Sequence, residues 1–142
     1  MKKFELTAES KINIFGKKLF RIKALISFGD VKEGETGGWV EKEENLEQSY
    51  GDAWVSGNAE VYGNARVSGN ADYTTIHGFG TQFRTTTFFR CKDKQIRVSC
   101  GCFFGTISEF REQVKNTRKG KIAEEYLMIA DLMEKHFTEE AK

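Results

Sequence analysis

The stretch Gly51–Tyr73, GDAWVSGNAEVYGNARVSGNADY, returns a glycine at Gly51, Gly57, Gly63 and Gly69. Each glycine is followed by Asp or Asn and then Ala, and a larger apolar residue stands two places after each Ala. Residues two apart on an extended chain share a face. The unit is six residues long, an even number, so that face is kept through all four units. Ala53, Val55, Ala59, Val61, Ala65, Val67, Ala71 and Tyr73 are therefore expected on one side. Trp54, Ser56, Glu60, Tyr62, Arg66 and Ser68 are expected on the other. Gly-Asn and Gly-Asp supply the corners, because these residue types tolerate positive φ.

A narrow interior of small and branched side chains, with a corner about every sixth residue, resembles the hexapeptide parallel β-helix. Short antiparallel hairpins with Gly-Asn turns are the alternative. In that β-helix about three units make one coil, so this repeat makes little more than one, and a lone coil leaves its strand edges unpaired. The repeat is too short to be the whole fold. Its expected role is assembly, with Trp54 and Tyr62 facing a neighbouring subunit. Acyltransferases on the hexapeptide fold use a histidine between subunits; the repeat has none, and His77 lies just beyond it.

Outward from the repeat the patterns change. Residues 1–50 read as short strands: KKLFRIKALISF (Lys17–Phe28) places Leu19, Ile22, Leu25 and Ile26 as apolar positions, with turns at Gly29-Asp30 and Gly37-Gly38. This zone can supply a further coil or a cap for the repeat. After residue 73 the six-residue period stops. RTTTFFRCKDKQIRVSC reads as a β-hairpin. Thr106 and Glu109 stand at capping-box spacing before a helix with Ile107, Phe110 and Val114 on one face, which Gly120 ends. A second helix carries Ile122, Tyr126, Ile129, Met133 and Phe137, widened by Leu127 and Ala130. The fold class is α+β. Residues 1–73 form a β-helix-like or β-sheet part, with 51–73 for oligomerisation; residues 74–142 form a hairpin and two helices that bind ligand.

With 142 residues, 39% hydrophobic and 30% charged, the chain is long and apolar enough for one ordinary domain. A net charge of +1 argues against a global field for nucleic-acid polymers or anionic membranes, so any anion site is local. MKKFELTAES has no apolar run of the length a signal peptide or membrane span needs. Three cysteines without a secretion signal point to a reducing cytoplasm and free thiols. Cys91, Cys100 and Cys102, with distant His77 and His136, fit a zinc site poorly, so buried thiols are expected and no metal.

No paired carboxylates, Ser-His-Asp set or phosphate loop stands out, so neither an enzyme nor a cofactor is indicated. The hairpin carries more. A two- or four-residue turn centred on Lys92-Asp93 pairs Arg90 with Gln95, Phe89 with Ile96, Phe88 with Arg97 and Thr86 with Ser99. One face then holds Phe89, Ile96, Thr87, Val98 and Cys100 as a core face. The other sets Phe88 between Arg90 and Arg97, with hydroxyls beside them. A ring among guanidinium groups suits a nucleotide, base on ring and phosphates on arginines. Phe83 and Arg84 extend that face. Phe103 leads into the helix start at Thr106, an anion-binding position, and Arg111 and Arg118 add positive charge. A solvated edge or a subunit contact is the alternative reading.

The ordered combination resembles a family of short proteins common in bacteriophages and prophages. Its carriers are a KKFELT opening strand, GGWVEKEENL, Gly-Asn-Ala repeats, TTTFFR, VSCGCFFGT followed by EF, and a final EEY helix. The resemblance covers nearly the whole chain and extends to phage anti-defence proteins that are similar to the Thoeris inhibitors. Those bind a nucleotide immune second messenger, a cyclic ADP-ribose isomer or a cyclic oligonucleotide, without cleaving it. They assemble from dimers and hold ligand where subunits meet. The resemblance implies a cytoplasmic sponge in an infected bacterial host, a homo-oligomer (dimer, trimer or hexamer) with no polymer or membrane partner. Phe88 or Phe83 would stack on adenine while Arg90, Arg97 and Arg111 hold the pyrophosphate. Several relatives have Thr-His where this chain has Thr117-Arg118. The other reading is a structural phage protein with a trimeric β-helical stalk.

Overall fold

Leu19, Ile22 and Ala24 are buried along one strand, and three others assemble beside it. The computed structural model describes residues 2–13, 15–49, 51–80, 84–100 and 103–138; Phe83, Cys102 and the side chain of Arg84 lie outside what is described. β1 (Phe4–Ile12), β2 (Lys18–Ala24) and β3 (Thr36–Val40) pair antiparallel, and the two-residue β4 (Glu60–Val61) joins β3 in parallel. β4 is the only strand wholly inside the repeat among the described residues, and no β-helix of stacked strands is seen among them.

The N-terminal zone nonetheless supplies the neighbour a lone coil lacks. Trp39 lies beside Glu60, Val40 beside Val61 and Leu46 beside Val67, all parallel and at one constant offset along the chain. Two glycines permit the approach. A Cβ on Gly37 would stand 2.6 Å from the Val55 carbonyl oxygen, and one on Gly38 would stand 2.8 Å from Val55 Cγ1. The fully buried Asn45 fixes the acidic turn that follows: its amide donates to the carbonyls of Gly63 and Ala65, and its Oδ1 accepts from the N–H groups of Glu41 and Lys42.

The inward face of the repeat follows the spacing through Val67. Ala53, Val55, Ala59, Val61, Ala65 and Val67 are at most 1% exposed. The last unit departs: a 3-10 turn at Asn70–Asp72 leaves Ala71 exposed, and Tyr73 is half-buried.

The outward face is corrected. Trp54 and Tyr62 do not look toward another subunit; they are 5% and 2% exposed within this chain. Trp54 meets Phe28 edge-on at 5.5 Å, and Tyr62 lies 5.0 Å from Phe104 and 5.9 Å from Phe89. The surface over Tyr62 is a second sheet, and a six-residue period says nothing about what later chain returns to cover it.

That sheet orders β5 (Tyr73–Phe79), β6 (Arg84–Arg90), β7 (Ile96–Cys100) and β8 (Phe103–Thr106), each antiparallel to the next. β8 runs into α1 (Ile107–Thr117), and α2 (Gly120–Phe137) returns beside α1. Gly120 thus opens the second helix, while the first already ends at Thr117. The β6–β7 hairpin forms as predicted, one residue out of the expected register. Arg90 pairs with Ile96, Phe89 with Arg97, Phe88 with Val98 and Thr87 with Ser99. The turn is odd: Cys91 N–H bonds to the Gln95 carbonyl at 2.9 Å, closing a three-residue loop in which Lys94 takes φ of +66°. A left-handed third residue is a common closure for such loops, and a one-residue slip turns one strand over relative to its partner.

The second sheet is therefore covered on both sides. Phe88 and Val98 pack with Ile107, Phe110, Tyr126 and Ile129 under the helices, while Phe89 and Cys91 join the core of the repeat. Phe88 and Phe89 are both fully buried, which stabilises by about 1.5–3 kcal/mol for each ring. The hydroxyls trapped in this layer are bonded. Thr87 Oγ1 accepts from the Glu60 N–H at 3.2 Å, Thr86 Oγ1 donates to Cys100 Sγ at 3.2 Å, and Ser99 shares a 2.9 Å bond with the Tyr62 hydroxyl. Cys91 and Cys100 are free thiols. No helix among the described residues is long and apolar enough to cross a membrane.

Two outcomes are expected. Gly37→Ala forces β3 off the repeat and lowers stability by about 1–3 kcal/mol, read as an earlier urea midpoint; an unchanged midpoint would show that the approach is not tight. Burial also pushes the Tyr62 phenol up to about 12. Its folded pKa lies above the unfolded value of about 10, so this stabilisation is whole below pH ~10 and drains away as pH rises toward ~12. Tyr62→Phe is expected to be less stable at neutral pH by about 0.5–1.5 kcal/mol and to lose less stability in alkali. Equal alkaline losses in both proteins would contradict this.

Candidate functional site

Three segments converge at one edge of the second sheet: the β6–β7 turn, the start of α1 and the end of α2. α2 has 18 residues and α1 has 11, so on its way back α2 overshoots the start of α1 by roughly 10 Å at 1.5 Å per residue. The overshoot walls a cleft of about 250 Å³. Arg90 and Lys94 bring cations, Thr106 and Ser108 bring hydroxyls, and Ile96, Ile107 and Phe137 form the apolar wall, with Glu134 also lining the space.

Thr106 caps α1 as its spacing predicts. Its Oγ1 accepts from the Glu109 N–H at 3.2 Å, and Glu109 Oε1 accepts from the Thr106 N–H at 2.9 Å. These bonds from Thr106 hold the Glu109 carboxyl below its ordinary range. Because Glu109 occupies the Thr106 N–H, an incoming anion would meet the N–H groups of Ile107 and Ser108 instead.

Arg90 is the last residue of β6 and lines the cleft. Its Nε donates to Asp72 Oδ1 at 3.0 Å and its Nη2 to the Phe137 carbonyl at 3.4 Å, with the guanidinium carbon 5.8 Å from the Phe137 ring centroid. Nη1 has no partner among the described residues. Asp72 is held in turn: its Oδ2 accepts from the N–H groups of Ser68 and Gly69 at 2.9 and 3.1 Å. The irregular end of the repeat thus aims the arginine. Arg111 ties the helices together, donating to Glu134 at 2.7 Å and Asp131 at 2.9 Å, and these carboxylates push its pKa up further.

Of the residues expected to bind ligand, the fold gathers Arg90 and Thr106 in the cleft, and Arg111 reaches it only through Glu134. The stacked face of Phe88, Arg90 and Arg97 does not exist. Phe88 is fully buried under the helices, because the odd turn pairs it with Val98. Arg97 emerges on the opposite face and closes on its own turn, with two 2.9 Å bonds to Asp93. Those bonds raise the Arg97 pKa and hold the exposed Asp93 carboxyl low. Phe103 is half-buried with its ring 5.6 Å from Phe110, a packing role. Arg118 is exposed at the end of α1 and does not line the cleft. Arg84 opens β6, at the strand end remote from Arg90. Phe83 lies outside the described residues.

Lys94, Ser108 and Phe137 were not legible as site residues. Lys94 reads as a turn residue and Phe137 as the end of an apolar stripe; only the differing helix lengths hint that the two meet. Among the described residues no group of three or more His, Cys, Asp or Glu is placed to hold a metal ion. No protein-family model matches this chain, and no curated protein matches it in sequence.

Proposed function

We propose that the chain is a phage anti-defence protein that binds and sequesters a nucleotide immune second messenger, a cyclic ADP-ribose isomer or a cyclic oligonucleotide, without cleaving it. The observation that carries this reading is the convergence of Arg90, Lys94, the Thr106–Ser108 start of α1 and the Phe137 wall in one cleft. A guanidinium donates charge-assisted bonds to phosphate oxygens. A helix start adds N–H groups and a favourable potential for an anion. Ile107 and Phe137 offer apolar contact to a ribose or base edge. The resemblance to phage-borne sponges supplies the ligand class, and the cleft supplies a place for its anionic part.

The dimensions shape the proposal. About 250 Å³ falls below the ~300–1,000 Å³ usual for small-molecule pockets. A ligand of this class is then held partly outside one chain, which leaves room for a second subunit to touch it. Phosphate must also share Arg90 with Asp72, and the Glu134 carboxylate is neutralised on its far side by Arg111.

The test is to incubate the protein with cyclic ADP-ribose isomers and cyclic di- and trinucleotides, wash, heat, and identify what is released. Intact ligand is expected. Altered ligand points to an enzyme, and no capture of any candidate overturns the reading. Two variants place the site. Arg90→Ala is expected to weaken binding by about tenfold or more, the size of a lost charged hydrogen bond. Lys94→Gly is expected to act with opposite signs: it relieves the left-handed backbone and raises stability by up to about 1 kcal/mol, yet it weakens ligand capture by removing a cation. Binding unchanged in both variants would move the ligand elsewhere.

A further inference from the structure

We propose that Glu134 is the specificity residue of the cleft, its carboxylate accepting hydrogen bonds from the ribose hydroxyls of a nucleotide whose phosphate lies on Arg90 and Lys94. The inference rests on the nucleotide reading of the cleft and names the part of the ligand that is selected.

A carboxylate lining a phosphate cleft is unexpected, because like charges repel. Glu134 nonetheless lines it, together with Arg90 and Lys94. It stands three and four residues before Phe137 and Thr138 on α2, and residues so spaced share a helix face. Its side chain is 62% exposed, which puts it at the mouth, whereas the buried Phe137 belongs to the wall.

The carboxylate is held in place. Arg111 Nη1 donates to Glu134 Oε2 at 2.7 Å, and Nη2 of the same guanidinium donates to Asp131 Oδ1 at 2.9 Å. A guanidinium fixed by two carboxylates fixes each of them in turn. Oε1 of Glu134 has no partner among the described residues. An ionised carboxylate oxygen can only accept, so an oriented and open Oε1 calls for a donor. An ionised phosphate ester has none to offer, and a sugar does.

The order of groups along a nucleotide matches the order of groups in the cleft. Phosphate and ribose are joined through one methylene. A ligand with its phosphate among Arg90, Lys94 and the start of α1 therefore sets its ribose next, toward the mouth where Glu134 stands. The 2′ and 3′ hydroxyls are neighbouring donors, and bonds to an ionised acceptor are stronger than neutral ones. A site built to bond a hydroxyl also rejects the analogue that lacks it, since its own polar group is left unpaired. Arg111 is then a positioning residue, acting on the ligand only through Glu134.

Calorimetric titration of the full chain with ADP, 2′,3′-dideoxy-ADP and inorganic pyrophosphate tests this. Wild type is expected to bind ADP about tenfold more tightly than the dideoxy analogue, the size of a hydrogen bond to a charged group. Glu134→Ala, at an exposed position, is expected to abolish that preference. The same variant is expected to bind pyrophosphate several-fold more tightly, because the repelling charge is gone. Glu134→Gln, which keeps the shape and one acceptor, is expected to retain part of the preference and still gain on pyrophosphate. A residue that only pins the helices together would move all the probes alike or none of them. Pyrophosphate binding with no preference between the two nucleotides, or a preference that survives Glu134→Ala, overturns this assignment and leaves the cleft reading standing. No binding of any probe removes the cleft as a phosphate site, and this assignment with it.

Discussion

Lys94, held in the left-handed region at the β6–β7 turn, permits the one register in which one face of the hairpin meets the helices and the other meets the repeat. An odd loop sends Phe88 and Val98 to the helical core and Phe89, Cys91 and Ser99 to the repeat. Since the sheet between them is covered on both sides, neither face has solvent to absorb a misplaced group. A slip of one residue would carry Arg97 toward Phe110 and Ile129, and would set Val98 where Ser99 now bonds Tyr62. Burying an unpaired guanidinium costs several kcal/mol, comparable with a large part of a small domain's stability. The register is thus enforced from both faces at once, and the turn only has to permit it.

Features that depend on local spacing were legible. The Ala and Val rows of the repeat, the Thr106–Glu109 capping box and the Tyr126–Phe137 stripe each follow from a period of two, three or about 3.6. What the spacing could not carry was the identity of the covering surface. An aromatic residue waiting for a second subunit and one covered by a later strand of its own chain have the same place in a six-residue repeat. Tyr62 is of the second kind, and Trp54 is covered by Phe28 from the chain that precedes the repeat. Turn parity was also hidden: CKDKQ contains no glycine to mark a left-handed position, and lysine fills it instead. β5 and β8 escaped for a related reason. Their short Thr- and Gly-containing sequences lack alternation, and they are strands because β6 and β7 offer them edges.

The same geometry explains why most of the arginines do not gather into one site. In a doubly covered sheet a cation survives only beside a carboxylate, so Arg97 turns to Asp93, and Arg111, between the helices, turns to Asp131 and Glu134. Residue type marks all of them as possible phosphate ligands. Position leaves one among them, Arg90, because it is the arginine that lines the cleft. Its carboxylate partner comes from the place where the repeat loses its period. The irregular last unit, which looks like decay of the pattern, is what delivers Asp72 to that edge.

α2 then holds two positions that cannot be varied independently. Its buried face closes the sheet, and its last turn, with Phe137 and Thr138, walls the cleft. Helix ends fray more readily than helix centres, so the wall is the least constrained part of the site.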